Sequence, residues 1–150
     1  MDVKTKKRKV SKTQSFNLKE YFTWKMILNF GLGFSLIIGA FIYVSPDLSA
    51  QAQNNRPVNI QSDMKGTFFY NPDCASCKKA YPAIFWHNFL HMANHKEQIQ
   101  VVNVAYSGNQ HFINEYAITK TPTMVVKGQH LTSDNGKQLV KFTDKGGQHG

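Results

Sequence analysis

The longest feature in the hydropathy pattern is Met26 to Val44, MILNFGLGFSLIIGAFIYV, nineteen residues without a charged side chain. About 20 apolar residues cross the hydrocarbon core of a bilayer, so the run predicts one transmembrane helix. Trp24 and Tyr43 mark its two ends, where interfacial aromatics sit. Ser45 to Asp63 is polar and rich in Gln, Asn, Ser and Pro; it reads as a linker entered through the helix breaker Pro46, with the remnant of a first strand at Val58-Asn59-Ile60. Thr67-Phe68-Phe69-Tyr70 is an aromatic and β-branched run of the kind found in buried strands, and Asn71-Pro72-Asp73 ends it. A helix follows, in which Tyr81, Ile84, Phe85, Phe89 and Met92 recur at three- and four-residue steps and predict a core face.

Farther along, Val101 to Val104 reads as the next strand, Phe112 to Ile118 as a short helix and Met124 to Val126 as another strand. Asp134-Asn135-Gly136 predicts a turn, and Gln138 to Phe142 a last strand pairing back through it. Lys145 to Gly150 is a polar tail. Strands alternating with helices predict an α/β fold, and 150 residues hold one such domain at most.

Charge adds orientation. The chain carries +9, and residues 1–52 contribute 8 basic and 3 acidic residues for a net +5. Lys4, Lys6, Lys7, Arg8, Lys9 and Lys12 crowd the start, and KKRKV taken alone has the composition of a nuclear-import signal. Placed ahead of an apolar span, the same cluster is the cytoplasmic flank that the positive-inside rule expects, with everything after Val44 outside. The basic charge is thus assigned to a membrane and not to nucleic acid. Ala50-Gln51-Ala52 is an A-x-A pattern, so the alternative is secretion after cleavage near Ala52. The run exceeds the usual signal-peptide core, which favours an uncleaved anchor. Gly31, Ser35 and Gly39 recur every four residues, but small residues are common in membrane helices and the stripe alone predicts no dimer.

Candidate chemistry rests on Cys74 and Cys77, the only two cysteines, in a C-x-x-C spacing directly after the first strand. Asp73 is expected at or near the helix N-cap, with Cys74 in the first turn. Free backbone N–H groups and the helix dipole stabilise an anion there, which depresses the thiol pKa of Cys74 and raises its reactivity. Lys78 and Lys79 are expected to tune the thiolate by adding positive charge, while Asp73 opposes them. Attack by the first cysteine on a disulfide can then be resolved by the second.

Here the chain resembles the thioredoxin superfamily. Pro82 lies five residues after Cys77, where thioredoxins carry the proline that kinks the active-site helix, and Thr121-Pro122-Thr123 matches the family's x-Pro-Thr element. The resemblance spans roughly residues 65–143. It implies a central sheet with flanking helices, a cis Pro122 packed beside the cysteines, and Thr121 offering backbone bonds in a substrate groove. The family's C-terminal helix is expected to be missing, leaving one sheet face thinly covered. Two departures stand out: Phe68 replaces a buried acid six residues before the first cysteine, and Asp73 replaces a tryptophan. Ala75-Ser76 between the cysteines is neither Gly-Pro nor Pro-His, so the direction of electron flow stays open.

The expected organisation is a basic cytoplasmic tail over 1–25, a transmembrane signal-anchor over 26–44, a linker over 45–64 and a thioredoxin-like domain over 65–150. The implied function is thiol–disulfide exchange on exported proteins of a bacterium, with an unknown redox donor or acceptor and no cofactor beyond the Cys74–Cys77 disulfide. The alternative is a binding or assembly module in which the cysteines form an inert structural disulfide. His87 and His91 complete a C-x-x-C-x9-H-x3-H spacing, close to a zinc-finger pattern. The cysteines open the same helix that carries the histidines, so two solvated histidines and no metal are the expectation.

Overall fold

The computed structural model describes residues 24–53 and 56–147; the basic tail expected over 1–25 lies almost wholly outside the described residues. In the described part, helix α1 (Trp24–Ala52) is followed by strand β1 (Gly66–Tyr70), helix α2 (Ala75–Leu90), strand β2 (Ile99–Asn103), a short helix α3 (His111–Glu115), strands β3 (Thr123–Val126) and β4 (Gln129–Thr132), and helix α4 (Gly136–Asp144). The strands form one mixed sheet in the order β2-β1-β3-β4, with β1 parallel to β2 and antiparallel to β3. This is an α/β fold carrying one N-terminal apolar helix.

The aromatic run reads as a strand because it is buried on both sides. Phe68 and Tyr70 pack with Cys77, Ala80, Tyr81, Ile84, Leu139 and Phe142 under α2 and α4. Phe69 points the other way, into Val102, Val104, Phe112, Ile118 and Val125. The period of two along β1 thus divides the core between the two sheet faces.

Three expectations are overturned. Gln138 to Phe142 is helical and not a strand, so a C-terminal helix is present and packs on α2. Its buried residues Leu139, Phe142 and Thr143 repeat at three and four, and the Asn135 side chain accepts from the N–H groups of Lys137 (3.1 Å) and Gln138 (3.4 Å). The expected turn is in fact a helix cap. Helix α4 lies on the same sheet face as α2, while the opposite face is covered by Phe112 of the short α3 together with Val104 and Ile118.

Secondly, the helix that begins in the apolar run does not stop at Pro46 but continues through Ala52, so the first part of the expected linker is helical. Pro46 removes one intrahelical hydrogen bond. Packing offsets this: Ser49 Oγ lies 3.0 Å from Tyr81 Oη, Gln53 Nε2 donates to Tyr81 Oη at 3.3 Å, and Tyr70 Oη donates to the Ala50 carbonyl at 3.1 Å. Thirdly, the expected strand remnant around Val58 has no ladder. Side-chain amides hold the segment instead: Asn109 Oδ1 accepts from Val58 N at 3.0 Å, and Gln100 Nε2 donates to Asn59 O at 2.6 Å.

Within α2 the buried residues are Cys77, Ala80, Tyr81 and Ile84, with Phe85 partly buried against them. Phe89 and Met92 were expected on this face but are exposed, at 39% and 64%. Asn88 is the residue that meets the sheet there. Its side chain accepts from Ile99 N and donates to Ile99 O, both at 2.7 Å, closing the start of β2.

Candidate active site

The turn between β1 and α2 is built by Asn71. Its Oδ1 accepts from Asp73 N at 2.9 Å and its carbonyl from Cys74 N at 3.1 Å, so the chain leaves the strand through an Asx turn and enters the helix at once. The N-cap is Cys74 itself, with φ −80° and ψ 121°, and not Asp73 as the sequence suggested. Cys74 Sγ occupies the place of a capping oxygen and accepts from Cys77 N at 3.4 Å. An anion at that atom meets a backbone donor that has no intrahelical carbonyl and the positive end of a sixteen-residue helix.

The two thiols are unlike. Both are free, with Cys74 half-buried and Cys77 buried. Burial pushes Cys74 up, but hydrogen bonding from the Cys77 thiol, the Cys77 and Ser76 N–H groups and the Thr121 side chain outweighs it, and the net shift is downward. Cys77 moves the opposite way, to about 11, chiefly through burial; the Asn71 N–H, 3.5 Å from its Sγ, only partly offsets this. Nucleophile and reserve proton are thereby separated within one turn of helix.

Thr121 and Pro122, forty-odd residues away in sequence, arrive beside this turn. The Thr121-Pro122 peptide is cis, Pro122 is fully buried, and Cys74 Sγ donates to the Thr121 carbonyl at 3.6 Å. Thr123 fixes the segment from the far side, donating to Lys120 O and bonding Thr132 Oγ1 on β4, both at 2.7 Å. Lys79 Nζ lies 3.8 Å from Asp134 Oδ2, which offsets its charge, and the groups that favour the Cys74 thiolate are hydrogen-bond donors. Lys78 instead lines a cavity of about 320 Å³ that opens onto Cys77.

That cavity was not foreseen. Asp47, Ala50 and Gln51 from the end of α1 form one wall, and Tyr70, Asn71, Pro72, Asp73 and Tyr81 line the rest. It gives the buried thiol a route to solvent and places the Asp47 and Asp73 carboxyls on that route. Nothing in the sequence signalled that the tether would reach the cysteines; Asn71 was legible as a turn residue but not as a donor to Cys77. The histidines are turned elsewhere. His87 Nε2 bonds Glu97 O and His91 Nδ1 bonds His87 O, both at 2.8 Å, so each ring is held by a backbone carbonyl and not simply solvated.

No protein-family model, curated protein or solved structure matches this chain.

Proposed function

We propose that the chain is a thiol–disulfide oxidoreductase with a thioredoxin-like domain, held at the outer face of a bacterial cytoplasmic membrane by α1. The observation that carries this reading is the Cys74 cap: a thiol lowered by hydrogen bonds at a helix N-terminus, one turn from a thiol raised to about 11, with the Thr121 carbonyl 3.6 Å from Cys74 Sγ. The helix at Gly136–Asp144 adds support, since thioredoxins carry a C-terminal helix.

In the reductive direction the Cys74 thiolate attacks one sulfur of a client disulfide. A Cys74–client disulfide forms and the other client sulfur leaves as a thiolate. Cys77 then gives up its proton, to that leaving thiolate or to water in the cavity, and attacks Cys74 Sγ. The Cys74–Cys77 disulfide forms and the client leaves as a dithiol, carrying two electrons. Run backwards, the same steps oxidise a client dithiol. A second thiol or disulfide protein outside the membrane resets the pair, and no metal or organic cofactor takes part. Thr121 presents its carbonyl where an extended client backbone would lie, and Pro122 shapes the groove.

The tether reading is supported by length. Among the described residues one helix, Met26–Ala52, is long and apolar enough to cross a membrane. Cleavage near Ala52 would strip Ser49 and Ala50 from the Tyr81 and Tyr70 hydroxyls, which favours retention of the helix.

The test is the redox state of Cys74 and Cys77 in living cells, by acid quench and thiol alkylation, with parallel samples given mild reductant first. A pair found reduced, or oxidised and readily reduced, agrees with the proposal. A pair that stays oxidised under challenge contradicts it and leaves a binding module with a structural disulfide.

A further inference from the structure

We propose that the C-terminal end of α2 is a lipid-docking surface that seats the domain on the outer leaflet of the bilayer crossed by α1. Among the described residues, large apolar side chains with high exposure fall in α1 and at three positions at or just past the end of α2: Phe89 (39%), Leu90 (76%) and Met92 (64%). Phe89 belongs to an aromatic cluster, and Leu90 and Met92 follow it directly in the chain. Phe89 stacks on Phe85 with ring centroids 6.2 Å apart and stands edge-on to Trp86 at 5.3 Å. Phe41 of α1 touches the same group, 6.3 Å from Trp86 and 6.4 Å from Phe89.

Phe41 sets the depth. It stands three residues before the end of the charge-free run Met26–Val44. Nineteen helical residues rise about 28 Å against a hydrocarbon core of about 30 Å, so Phe41 lies where acyl chains meet headgroups. Rings in contact with Phe41 share that depth, which is where tryptophan and other aromatics are favoured. Leu90 and Met92 then meet acyl chain, while the exposed His95 and Lys96 just beyond face the headgroup phosphates. Lipid is the occupant because Phe41, which touches the patch, belongs to the apolar run Met26–Val44 that the membrane reading places in the bilayer, so no second partner has to be recruited. This inference rests on the membrane reading of α1.

Docking has a consequence for the site. The end of α1 runs from Phe41, at the last turns of α2, to Ala50 and Gln51, which line the cavity at Cys77. Ten residues of helix rise about 15 Å, so the cysteines are held off the bilayer by about that distance, within reach of exported clients.

Trp24 and Trp86 are the only tryptophans, so Trp24→Phe leaves a single reporter in the patch. The full chain carrying this change is placed in vesicles of phosphatidylethanolamine and phosphatidylglycerol, with or without lipids brominated on the acyl chain. The expected result is loss of Trp86 emission in the brominated vesicles, and recovery of emission when Leu90→Asp and Met92→Asp are added to a chain that still resists carbonate extraction. A chain that resists extraction while Trp86 stays bright overturns the docking surface and leaves the anchor standing. Trp86 shielded from both bromine and aqueous acrylamide, with a cross-linked dimer, overturns it in favour of a second copy. Release of the chain by carbonate overturns this inference and the anchor together.

Discussion

Helix α2 has two parts that share one apolar spacing and differ in what covers them. Tyr81, Ile84, Phe85 and Phe89 recur at three- and four-residue steps along it. The first part, through Ile84, buries Cys77, Ala80, Tyr81 and Ile84 between sheet, α4 and the end of α1. The second part leaves Phe89 and Leu90 exposed and gives its inward position to Asn88. The helix is apolar on one side near the cysteines and apolar on its outside farther on. Apolar spacing therefore establishes that a helix has a face, but what covers that face decides its role. In the first part the cover is protein, and it shapes the reactivity of two thiols.

The comparison breaks hardest at Cys74. Cys74→Ser is expected to reduce exchange with a glutathionylated peptide on the order of 10³-fold or more, because the nucleophile is gone. Cys77→Ser should instead accumulate a mixed disulfide on Cys74, visible by mass under non-reducing conditions. Equal, small losses in both variants would remove the distinction between the thiols.

Core substitutions sharpen the contrast. Ile84→Ala should cost about 2–5 kcal/mol in urea unfolding, since Ile84 is wholly buried, whereas Leu90→Ala should fall within about 0.5 kcal/mol. Similar costs at the two positions would mean that the second part is buried after all. Gly136→Ala would set a Cβ against the Ala80 carbonyl oxygen and 2.6 Å from Ala83 Cβ, forcing α4 away from α2. About 1–3 kcal/mol of destabilisation is expected by the same assay.

Smaller effects test the tether and the titration. Tyr81→Phe removes the hydroxyl that bonds Ser49 and Gln53 and should cost about 1 kcal/mol, with faster proteolysis around residues 49–53. Between pH 7 and 8, alkylation should fall on Cys74 first, with Cys77 following only as pH approaches about 11. The sign for stability follows. Cys77 has a folded pKa raised above the ordinary thiol value of about 8.5, so its contribution is complete below that pH and is lost as pH climbs through about 11. In a Cys77→Ser variant the alkaline loss of stability of the reduced protein should shrink.

What the sequence disclosed follows the strength of local signals. Thr67 to Tyr70 was legible because aromatic residues bounded by Asn-Pro-Asp have few other places to go. The cysteine turn was legible to within one residue; the cap passed from Asp73 to Cys74 because Asn71 makes the turn alone. Strand β4 was missed because Gln129, His130 and Thr132 are polar and exposed at the sheet edge, although Lys127 and Gly128, both at positive φ, form the two-residue hairpin turn before it. Helix α4 was misread because Asp-Asn-Gly marks turns as well as caps, and five residues containing Leu139, Val140 and Phe142 fit either period. The end of α1 was unreadable in principle. Its helix survives Pro46 through partners 20 to 32 residues away, which no local window contains.

The measurement that bears most directly on the central claim is the reduction potential of the Cys74–Cys77 pair, read by alkylation after equilibration of the full chain with glutathione buffers. A thiolate stabilised at Cys74 favours the reduced form, so the potential is predicted to lie between about −120 and −270 mV, the range of exchange catalysts. A value below about −300 mV would mark a structural disulfide and contradict the account.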